Sequence, residues 1–353
     1  MLEPLTLRRG PAWRNRYALA PMTNQQSHPD GTISDDEHRW LTMRAQGGFG
    51  LVMSCASHVQ AQGQGFPGQL GIFSEEHVPG LRRLADDLRI RGAVSSVQLH
   101  HAGYRSPASL VGQPVGPSDD EATGSRGLKS EEVELLSEDF VLAALRAQQA
   151  GFDGVELHGA HGYVIAQFLS AQDNRRQDRY GGELANRARL LMAALDGIRT
   201  RCRPDFQVGL RLSPERFGMQ LGEIRELCQE LLGSQLLDYL DLSLWDTAAF
   251  PVEEDYADRP LLGWFTDLER HGTRLGVAGK VMSAERAQQL ISDGVDFVML
   301  GRAAILHHDF PLRAAADRAF AARALPVTAE ELDAEGLGPA FVDYLRGWRG
   351  FVA

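Results

Sequence analysis

The sequence predicts a (β/α)8 barrel, and two observations carry that prediction. Short stretches rich in apolar and β-branched residues recur eight times, and each is followed by a longer amphipathic stretch typical of a helix. Because these strands are apolar on both faces, they indicate a parallel sheet that helices cover on both sides. No low-complexity linker divides the 353 residues, so eight such units fit one closed barrel better than two doubly wound domains.

The predicted strands and helix ends follow in order along the chain. The strands cover residues 17–22, 50–59, 93–101, 152–160, 206–213, 236–244, 274–281 and 297–303. Gly92, Gly151 and Gly294 fall where a helix must end before the next strand begins. Ser34 followed by Glu37 is the pattern of a capping box and predicts a helix start.

Two segments interrupt the alternation of strands and helices. Residues 103–136 are rich in Gly, Pro, Ser and acidic residues, and residues 245–263 are rich in Pro and acidic residues. They follow the third and sixth strands, so we expect them as insertions on the C-terminal rim, where loops usually serve a site. We expect residues 1–353 to form a single domain, with residues from about 325 to 353 as a C-terminal tail.

The composition excludes several classes of function. Lys and Arg number 36 against 47 Asp and Glu, and the net charge of −11 argues against binding to nucleic acids or anionic membranes. Three scattered cysteines cannot form a disulfide framework, a zinc site or an iron–sulfur cluster. No apolar run approaches the roughly 20 residues of a membrane span, and the start of the chain lacks the apolar core of a secretory signal. We therefore expect a cytoplasmic protein with a small-molecule substrate.

Reactive side chains follow the predicted strands at the end where a barrel places its site. Seven strands contribute: Thr23 after the first, Cys55 and Ala56 on the second, Gln98, His100 and His101 on the third, His158, His161 and Tyr163 after the fourth, Arg211 on the fifth, Gly279 and Lys280 after the seventh, and Gly301 and Arg302 after the eighth. This convergence predicts a single site on one rim of the barrel.

The last two of these loops each place a glycine directly before a cation. Barrels commonly bind phosphate after strands seven and eight, where glycine exposes backbone N–H groups and Arg or Lys adds charge. The alternative is that Gly279 and Gly301 only turn strand into helix, with Lys280 and Arg302 solvated. The residues alone leave both interpretations open.

Two other patterns do not predict a site. Three histidine pairs have enough nitrogen atoms for a metal, but no HExxH context or matching carboxylate accompanies them, and we expect no metal site. The pairs are His158 with His161, His100 with His101, and His307 with His308. Residues 63–68 match the GxGxxG pattern, but Pro67 lies inside it and no helix starts at its end, so we interpret it as a rim loop.

Four runs of sequence resemble the old yellow enzyme family of FMN-dependent ene reductases. They are APMT, QLHHAG, FVMLGRA and the segment from His158 to Arg189, in which HxAHGY, FLS, NxRxDxYGG and NRxR follow one another closely. The resemblance extends from about residue 5 to about residue 310. It implies a (β/α)8 barrel that binds FMN at its C-terminal rim.

The resemblance also implies roles for individual residues. The implied contacts to the flavin ring are Pro21, Met22 and Thr23 along the isoalloxazine, the backbone of Ala56, Gln98 at the pyrimidine edge and Arg211 beside N1 and O2. The implied phosphate contacts are Gly279, Lys280, Gly301 and Arg302. The implied substrate contacts are His158 and His161, which hold the substrate oxygen, and Tyr163, which donates the proton.

General chemistry supports the resemblance at three points. A guanidinium near N1 stabilises the negative charge of reduced flavin. Two imidazole donors on a carbonyl oxygen act as an oxyanion hole, in which one donor contributes about 3 kcal/mol. A tyrosine with a pKa of about 10 keeps its proton at neutral pH and can donate it. Structural roles remain alternatives: satisfied histidines for His158 and His161, packing for Tyr163, and an interior ion pair for Arg211.

The function that the resemblance implies is reduction of activated C=C bonds in enones, enals and nitroalkenes by NADH or NADPH. Hydride would come from flavin N5 and the proton from Tyr163, in ping-pong order. Nitro compounds and nitrate esters are further candidate acceptors. A related reductase with a cysteine-rich cluster, an FMN-dependent tRNA-modifying barrel, and a barrel that binds a phosphorylated ligand without redox chemistry are the rival interpretations.

Three positions depart from the family pattern. Thr23 stands where some members have cysteine, and His161 where some have asparagine. The run YLRGWRGFV at residues 344–352 is similar to a C-terminal motif of one branch, whose arginine reaches into a neighbouring subunit. Arg346 is thus a candidate substrate contact in a homo-oligomer, and a docked amphipathic tail is the alternative that we favour.

Overall fold

The computed structural model describes all 353 residues and confirms the barrel. Eight parallel strands close into a cylinder in which each strand pairs with the next and the last pairs with the first. We label these barrel strands β1 Tyr17–Leu19, β2 Leu51–His58, β3 Val94–His100, β4 Gly154–Gly159, β5 Gln207–Leu212, β6 Tyr239–Ser243, β7 Arg274–Ala278 and β8 Phe297–Leu300. Every predicted strand is present, with shorter ends.

Helices separate the strands and cover the outside of the cylinder. They are α1 Asp35–Gln46, α2 Val78–Ile90, α3 Ala108–Val111, α4 Ser130–Ala150, α5 Val164–Leu169, α6 Leu184–Arg187, α7 Arg189–Arg201, α8 Leu221–Gly233, α9 Gly263–Thr266, α10 Ala284–Ser292, α11 Arg302–Leu306, α12 Phe310–Ala316, α13 Ala329–Ala334 and α14 Pro339–Arg346. None of these helices combines the length and the hydrophobicity that crossing a membrane requires.

The two predicted insertions are present after β3 and β6. The first contains α3 and a parallel pair of two-residue strands, Val115–Gly116 and Arg126–Gly127. The second contains a 3-10 turn at Glu254–Tyr256 and the short helix α9. Both insertions leave the sheet at the carboxyl ends of their strands, as the sequence predicts.

The predicted helix ends are mostly confirmed. Gly151 ends α4 with a φ of 93°, in the left-handed region that glycine adopts at little cost. Ser34 caps α1, and its hydroxyl accepts a hydrogen bond from the Glu37 amide at 3.1 Å. The Glu37 side chain does not complete a capping box, because its carboxylate accepts from Asn24 at 3.1 Å instead.

The inside of the barrel is filled at its N-terminal end by aromatic rings. Trp13 lies edge-on to Phe297, with 4.9 Å between ring centroids, and to Tyr239, at 5.5 Å. Glycines on neighbouring strands make room for these rings, since a Cβ atom on Gly276 would lie 2.1 Å from the Phe297 ring. A second and much larger apolar core, of 87 buried residues, lies between the sheet and the helices.

The C-terminal tail docks onto this outer core. Phe341 and Leu345 of α14 are fully buried, and Phe341 lies edge-on to Trp40 of α1 at 5.0 Å. The buried guanidinium of Arg44 stacks on Trp40 and donates to the carbonyl oxygen of Glu335 in the tail at 2.6 Å. The same guanidinium donates to the Ala304 carbonyl oxygen of α11 at 3.0 Å. One cation therefore holds the tail and the element after β8 together.

Candidate active site

A cleft of about 280 Å³ opens at the carboxyl ends of the strands. All thirteen residues that the sequence singles out as binding or catalytic line it: Pro21, Met22, Thr23, Ala56, Gln98, His158, His161, Tyr163, Arg211, Gly279, Lys280, Gly301 and Arg302. The predicted convergence on one rim is therefore present in the structure. The individual roles of these residues stay predictions.

The strand register explains why distant residues meet. Gln98 on β3 pairs with Ala56 on β2, and Arg211 on β5 pairs with His158 on β4. The pairing of β2 with β3 shifts between Met53 and Ala56, so the irregularity falls just before the residue that lines the cleft. Such irregularities re-aim a strand next to functional sites.

The donor histidines are neutral. Burial lowers the pKa of His161 to about 3 and holds the pKa of His158 well below its usual range. The Nδ1 atom of His158 accepts from the amide of Ala160 at 3.3 Å, which leaves its proton on Nε2. The Nε2 atom of His161 lies 2.7 Å from the Ser243 hydroxyl, and either atom can be the donor. The two imidazole centroids are 5.0 Å apart.

Tyr163 occupies the N-cap position of α5 and reaches into the same space. Its ring lies 5.0 Å from the ring of His158, and the guanidinium of Arg105 lies 5.1 Å from its centroid. Burial raises the pKa of the Tyr163 phenol, so the group keeps its proton at neutral pH. Its hydroxyl makes no hydrogen bond within the protein and can serve a ligand.

Arg211 forms the floor of the cleft together with two buried acids. Its Nε atom lies 3.2 Å from Asp241, and its Nη2 atom donates to the Ser243 hydroxyl at 3.3 Å. Burial, and then the nearby charge of Asp241, raise the pKa of Glu156 to about 8. Glu156 accepts from the Gln98 amide at 2.8 Å. Burial thus favours the protonated form of Glu156, next to the ion pair of Arg211 with Asp241.

The four residues of the predicted phosphate site divide into two kinds. A Cβ on Gly279 would lie 2.9 Å from the amide nitrogen of Asp246, and Lys280 pairs with the Asp246 carboxylate at 2.7 Å. These two residues thus also form a contact between two rim loops, which neither interpretation of the sequence anticipated. Arg302, in contrast, has no carboxylate partner, and the nearest atom to a Cβ on Gly301 would be a sulfur at 3.5 Å. An unpaired guanidinium beside an open glycine remains available to an anion.

Aromatic residues that sequence reasoning missed form a wall of the cleft. They are Phe66 and Trp245 from rim loops and Tyr344 and Trp348 from the tail of the same chain. Trp245 is 59% exposed, and its ring lies 5.9 Å from the ring of His161. The apolar spacing of α14 indicates a docked helix, but it does not indicate what its other face would meet.

Arg346 points away from this cleft. It pairs with Asp343 on the exposed side of α14, and its side chain is 57% exposed. The favoured alternative of a docked tail is therefore confirmed for this chain. A contact of Arg346 with a neighbouring subunit stays a prediction.

The residues of the cleft fit a flavin nucleotide. The hydroxyl of Thr23 and the amide oxygen of Gln98 make no hydrogen bond within the protein, although both line the cleft. Arg302 offers an unpaired cation for a phosphate, and Arg211 offers a buried one for the ring. A planar ring with a polar edge and an anionic tail matches this set of groups.

A parallel barrel with such a cleft defines a flavin-dependent oxidoreductase of the (β/α)8 class. The chain belongs to the NADH:flavin oxidoreductase / NADH oxidase family, whose model matches residues 1–320. FMN is accordingly its cofactor, and NADH or NADPH its electron donor. The resemblance to old yellow enzymes is confirmed, and the alternative of a barrel without redox chemistry is wrong.

Curated relatives agree with this assignment. The chain is 37% identical over 314 residues to a probable NADH-dependent flavin oxidoreductase of Bacillus subtilis, covering 86% of this chain and 84% of that protein. It is 32% identical over 300 residues to an NADPH dehydrogenase of Listeria monocytogenes, covering 82% and 86%. It is 33% identical over 334 residues to an NADH:fumarate oxidoreductase of Klebsiella pneumoniae, but spans only 36% of that longer protein.

Experimentally determined structures show the same architecture. Morphinone reductase superimposes with a TM-score of 0.78 at 28% identity, covering 94% of this chain and 92% of that one. An old yellow enzyme homologue from Zymomonas mobilis superimposes with a TM-score of 0.80 at 26% identity, covering 94% and 95%.

Proposed function

We propose that this protein uses NADH or NADPH to reduce activated C=C bonds, in enones, enals and nitroalkenes, in ping-pong order. One observation carries the proposal: two neutral imidazoles and a protonated phenol meet in one cleft, with His158 at 5.0 Å from both His161 and Tyr163. The names of three similar proteins add support, since they are a fumarate oxidoreductase, an acrylate oxidoreductase and a morphinone reductase.

When bound, FMN supplies the two-electron chemistry, accepting a hydride from the nicotinamide and passing a hydride to the alkene. Thr23, Gln98 and Arg211 would bind the ring, with the segment Pro21–Met22 and the Ala56 backbone beside it. Arg302 and Gly301 would hold the phosphate, and Lys280 and Gly279 would shape the loop next to it. The positive charge of Arg211 would stabilise the negatively charged reduced flavin, and the negative charge of the buried Asp241 would weaken that stabilisation.

His158 and His161 hold the oxygen of the substrate. Negative charge develops on that oxygen when the β-carbon of an enone receives a hydride, and two N–H donors fixed in a buried site stabilise it. Neutral imidazoles suit this task because each presents one N–H without itself transferring a proton. The two donors would thereby fix the orientation of the substrate carbonyl in the cleft.

Tyr163 supplies the second half of the reduction. Its phenolic O–H bond breaks, a C–H bond forms at the α-carbon, and the phenolate recovers its proton from water. The nicotinamide and the alkene would use the same cleft in turn, because both must reach the same cofactor. That shared space accounts for the ping-pong order.

Replacing Tyr163→Phe tests the proposal. We expect oxidation of the reduced enzyme by 2-cyclohexen-1-one to slow by on the order of 100-fold or more, because the proton donor is lost. Reduction of the flavin by NADH or NADPH needs no proton from this residue and should keep its rate. Stopped-flow absorbance of the flavin measures both half-reactions separately.

Tyr104→Phe is the matched control. This phenol donates to Asp173 at 3.3 Å and does not line the cleft, so both half-reactions should keep their rates. Equal losses in both half-reactions of Tyr163→Phe, or no loss in either, would contradict the assignment of the proton donor.

A further inference from the structure

A buried histidine that the proposed chemistry does not use lies directly beside the proton donor. His100, at the end of β3, is completely buried, and its Nε2 atom has no hydrogen-bond partner. Its ring packs edge-on to Tyr163, with 4.4 Å between centroids and 78° between planes, and lies 5.5 Å from the ring of His158. A buried polar atom without a partner is costly, and its presence calls for a reason.

The side chain of Gln69 fixes the orientation of His100. The Gln69 amide oxygen accepts from the backbone N–H of Gly65 at 2.6 Å. Its Nε2 atom donates to the Ala56 carbonyl oxygen at 2.7 Å and lies 3.0 Å from Nδ1 of His100. A flipped amide would set oxygen against oxygen at Ala56 and N–H against N–H at Gly65, so only this orientation satisfies its neighbours.

This orientation also settles which nitrogen of His100 carries the proton. Since Gln69 donates to Nδ1, that atom is an acceptor, and a neutral imidazole then holds its hydrogen on Nε2. Complete burial, and to a lesser extent the neighbouring His101, hold the pKa of His100 well below its usual range, so the ring is neutral. The edge of the imidazole that bears the free N–H is thus on the far side from Gln69.

We infer that His100, held by Gln69, is a positioning residue that fixes the Tyr163 ring for proton transfer to the substrate. The inference rests on the proposed function, in which Tyr163 is the proton donor. His100 is completely buried and does not line the cleft. It acts by confining the phenol from one side, while the guanidinium of Arg105 lies over the ring at 5.1 Å. The contacts Ala56–Gln69–His100–Tyr163 thus tie the proton donor to a residue of the predicted flavin site.

The variant His100→Leu removes the ring and its N–H while keeping an apolar side chain of similar size. We expect oxidation of the reduced enzyme by 2-cyclohexen-1-one to slow by on the order of tenfold to a hundredfold, because a misplaced donor loses that much rate. Oxidation by ferricyanide, which takes electrons without a proton to carbon, should be unchanged. FMN content and the rate of reduction by NADH or NADPH should also be unchanged.

The matched control is His101→Leu. This neighbour is equally buried and also has an unpartnered Nε2 atom, but its Nδ1 accepts from the Gly103 amide and its ring does not pack on Tyr163. His101→Leu should not slow the reaction with the enone more than the reaction with ferricyanide or the reduction by NADH or NADPH. A loss in His100→Leu that is equal for the enone, ferricyanide and NADH would mean a purely structural role and would overturn the inference, as would full activity.

A double variant separates positioning from general damage. If His100 acts through the hydroxyl of Tyr163, His100→Leu should slow the enone reaction in the parent and have no further effect in Tyr163→Phe. Additive losses would contradict the inference. Gln69→Leu releases the imidazole without altering it and also frees the Ala56 carbonyl oxygen. At unchanged FMN content it should repeat the selective loss, and it serves if His100→Leu does not fold. A failure of the proposed function itself would look different, because the parent enzyme would then not reduce the enone.

Discussion

The same strands form both ends of the barrel, but the side chains at the two ends differ in kind. At the N-terminal end, Trp13, Tyr239 and Phe297 pack edge-on and fill the interior. At the C-terminal end, the cleft is lined by the guanidinium of Arg302, which has no carboxylate partner, and by the phenol of Tyr163, which makes no hydrogen bond within the protein. One end is optimised for packing, and the other keeps polar groups unsatisfied for a ligand. The residues that pack the interior and the residues proposed for the chemistry therefore lie at opposite ends of the barrel axis.

The largest expected effect would come from the packed end. Phe297→Ala should lower the free energy of unfolding by about 3–5 kcal/mol, because the ring is fully buried and its removal leaves a cavity between Trp13 and Tyr239. Urea unfolding followed by tryptophan fluorescence measures the loss. The KM for NADH or NADPH of the folded variant should equal that of the parent. If Phe297→Ala changed KM strongly while lowering the free energy of unfolding by less than about 1 kcal/mol, the two ends would not be functionally separate.

A smaller effect should come from the buried histidines of the catalytic end. Burial lowers the pKa of His101 to about 3, against about 6.5 in an unfolded chain. Above pH 6.5, His101 is unprotonated in both the folded and the unfolded state. Below pH 6.5, His101 becomes protonated in the unfolded state but stays unprotonated in the folded state. Each such histidine therefore removes about 1.4 kcal/mol of stability per pH unit as the pH falls from about 6.5 toward 3.

The variant His101→Leu isolates this contribution. Its free energy of unfolding should fall less steeply than that of the parent, by about 1.4 kcal/mol per pH unit between pH 6 and pH 4. Comparison with the parent is essential, because the raised pKa of Glu156, about 8, acts in the opposite direction over part of this range. Parallel stability curves for parent and variant would show that His101 is protonated in the folded protein.

The smallest effect is expected at the surface of the tail. Arg346→Ala should change the free energy of unfolding by less than about 1 kcal/mol, because its ion pair with Asp343 is solvent-exposed. The KM for substrates should also be unchanged, since the side chain points away from the cleft of its own chain. A raised KM in the native assembly would instead support a contact with the cleft of a neighbouring subunit.

The sequence predicts the barrel well because strand and helix periods are local properties. All eight strands and both insertions were predictable from alternating composition. Strand β1 is shorter than expected because the last ladder bond runs from the Ala20 amide to the Leu300 carbonyl oxygen, and Pro21 has no N–H to continue it. The thirteen site residues were predictable because a barrel brings strand ends together and because the motifs resemble a known family. The register shift before Ala56 has no sequence signal, since the pairing of two strands decides it.

The features of the site that the sequence did not predict depend mostly on tertiary contacts. Glu156 precedes His158 by two residues, so strand alternation alone places both inside the barrel and could have revealed the buried acid. Tyr344 and Trp348 carried no comparable signal, because the docking angle of α14 decides which residues face the cleft. The hydrogen-bonding role of Gln69 likewise follows only from the folded loop.

The buried guanidinium of Arg44 couples the tail to the element after β8. This guanidinium donates both to Ala304, within the helix α11 that begins at Arg302, and to Glu335 in the tail. A change that undocks the tail would therefore also loosen the backbone that begins at Arg302, the cation without a carboxylate partner in the cleft.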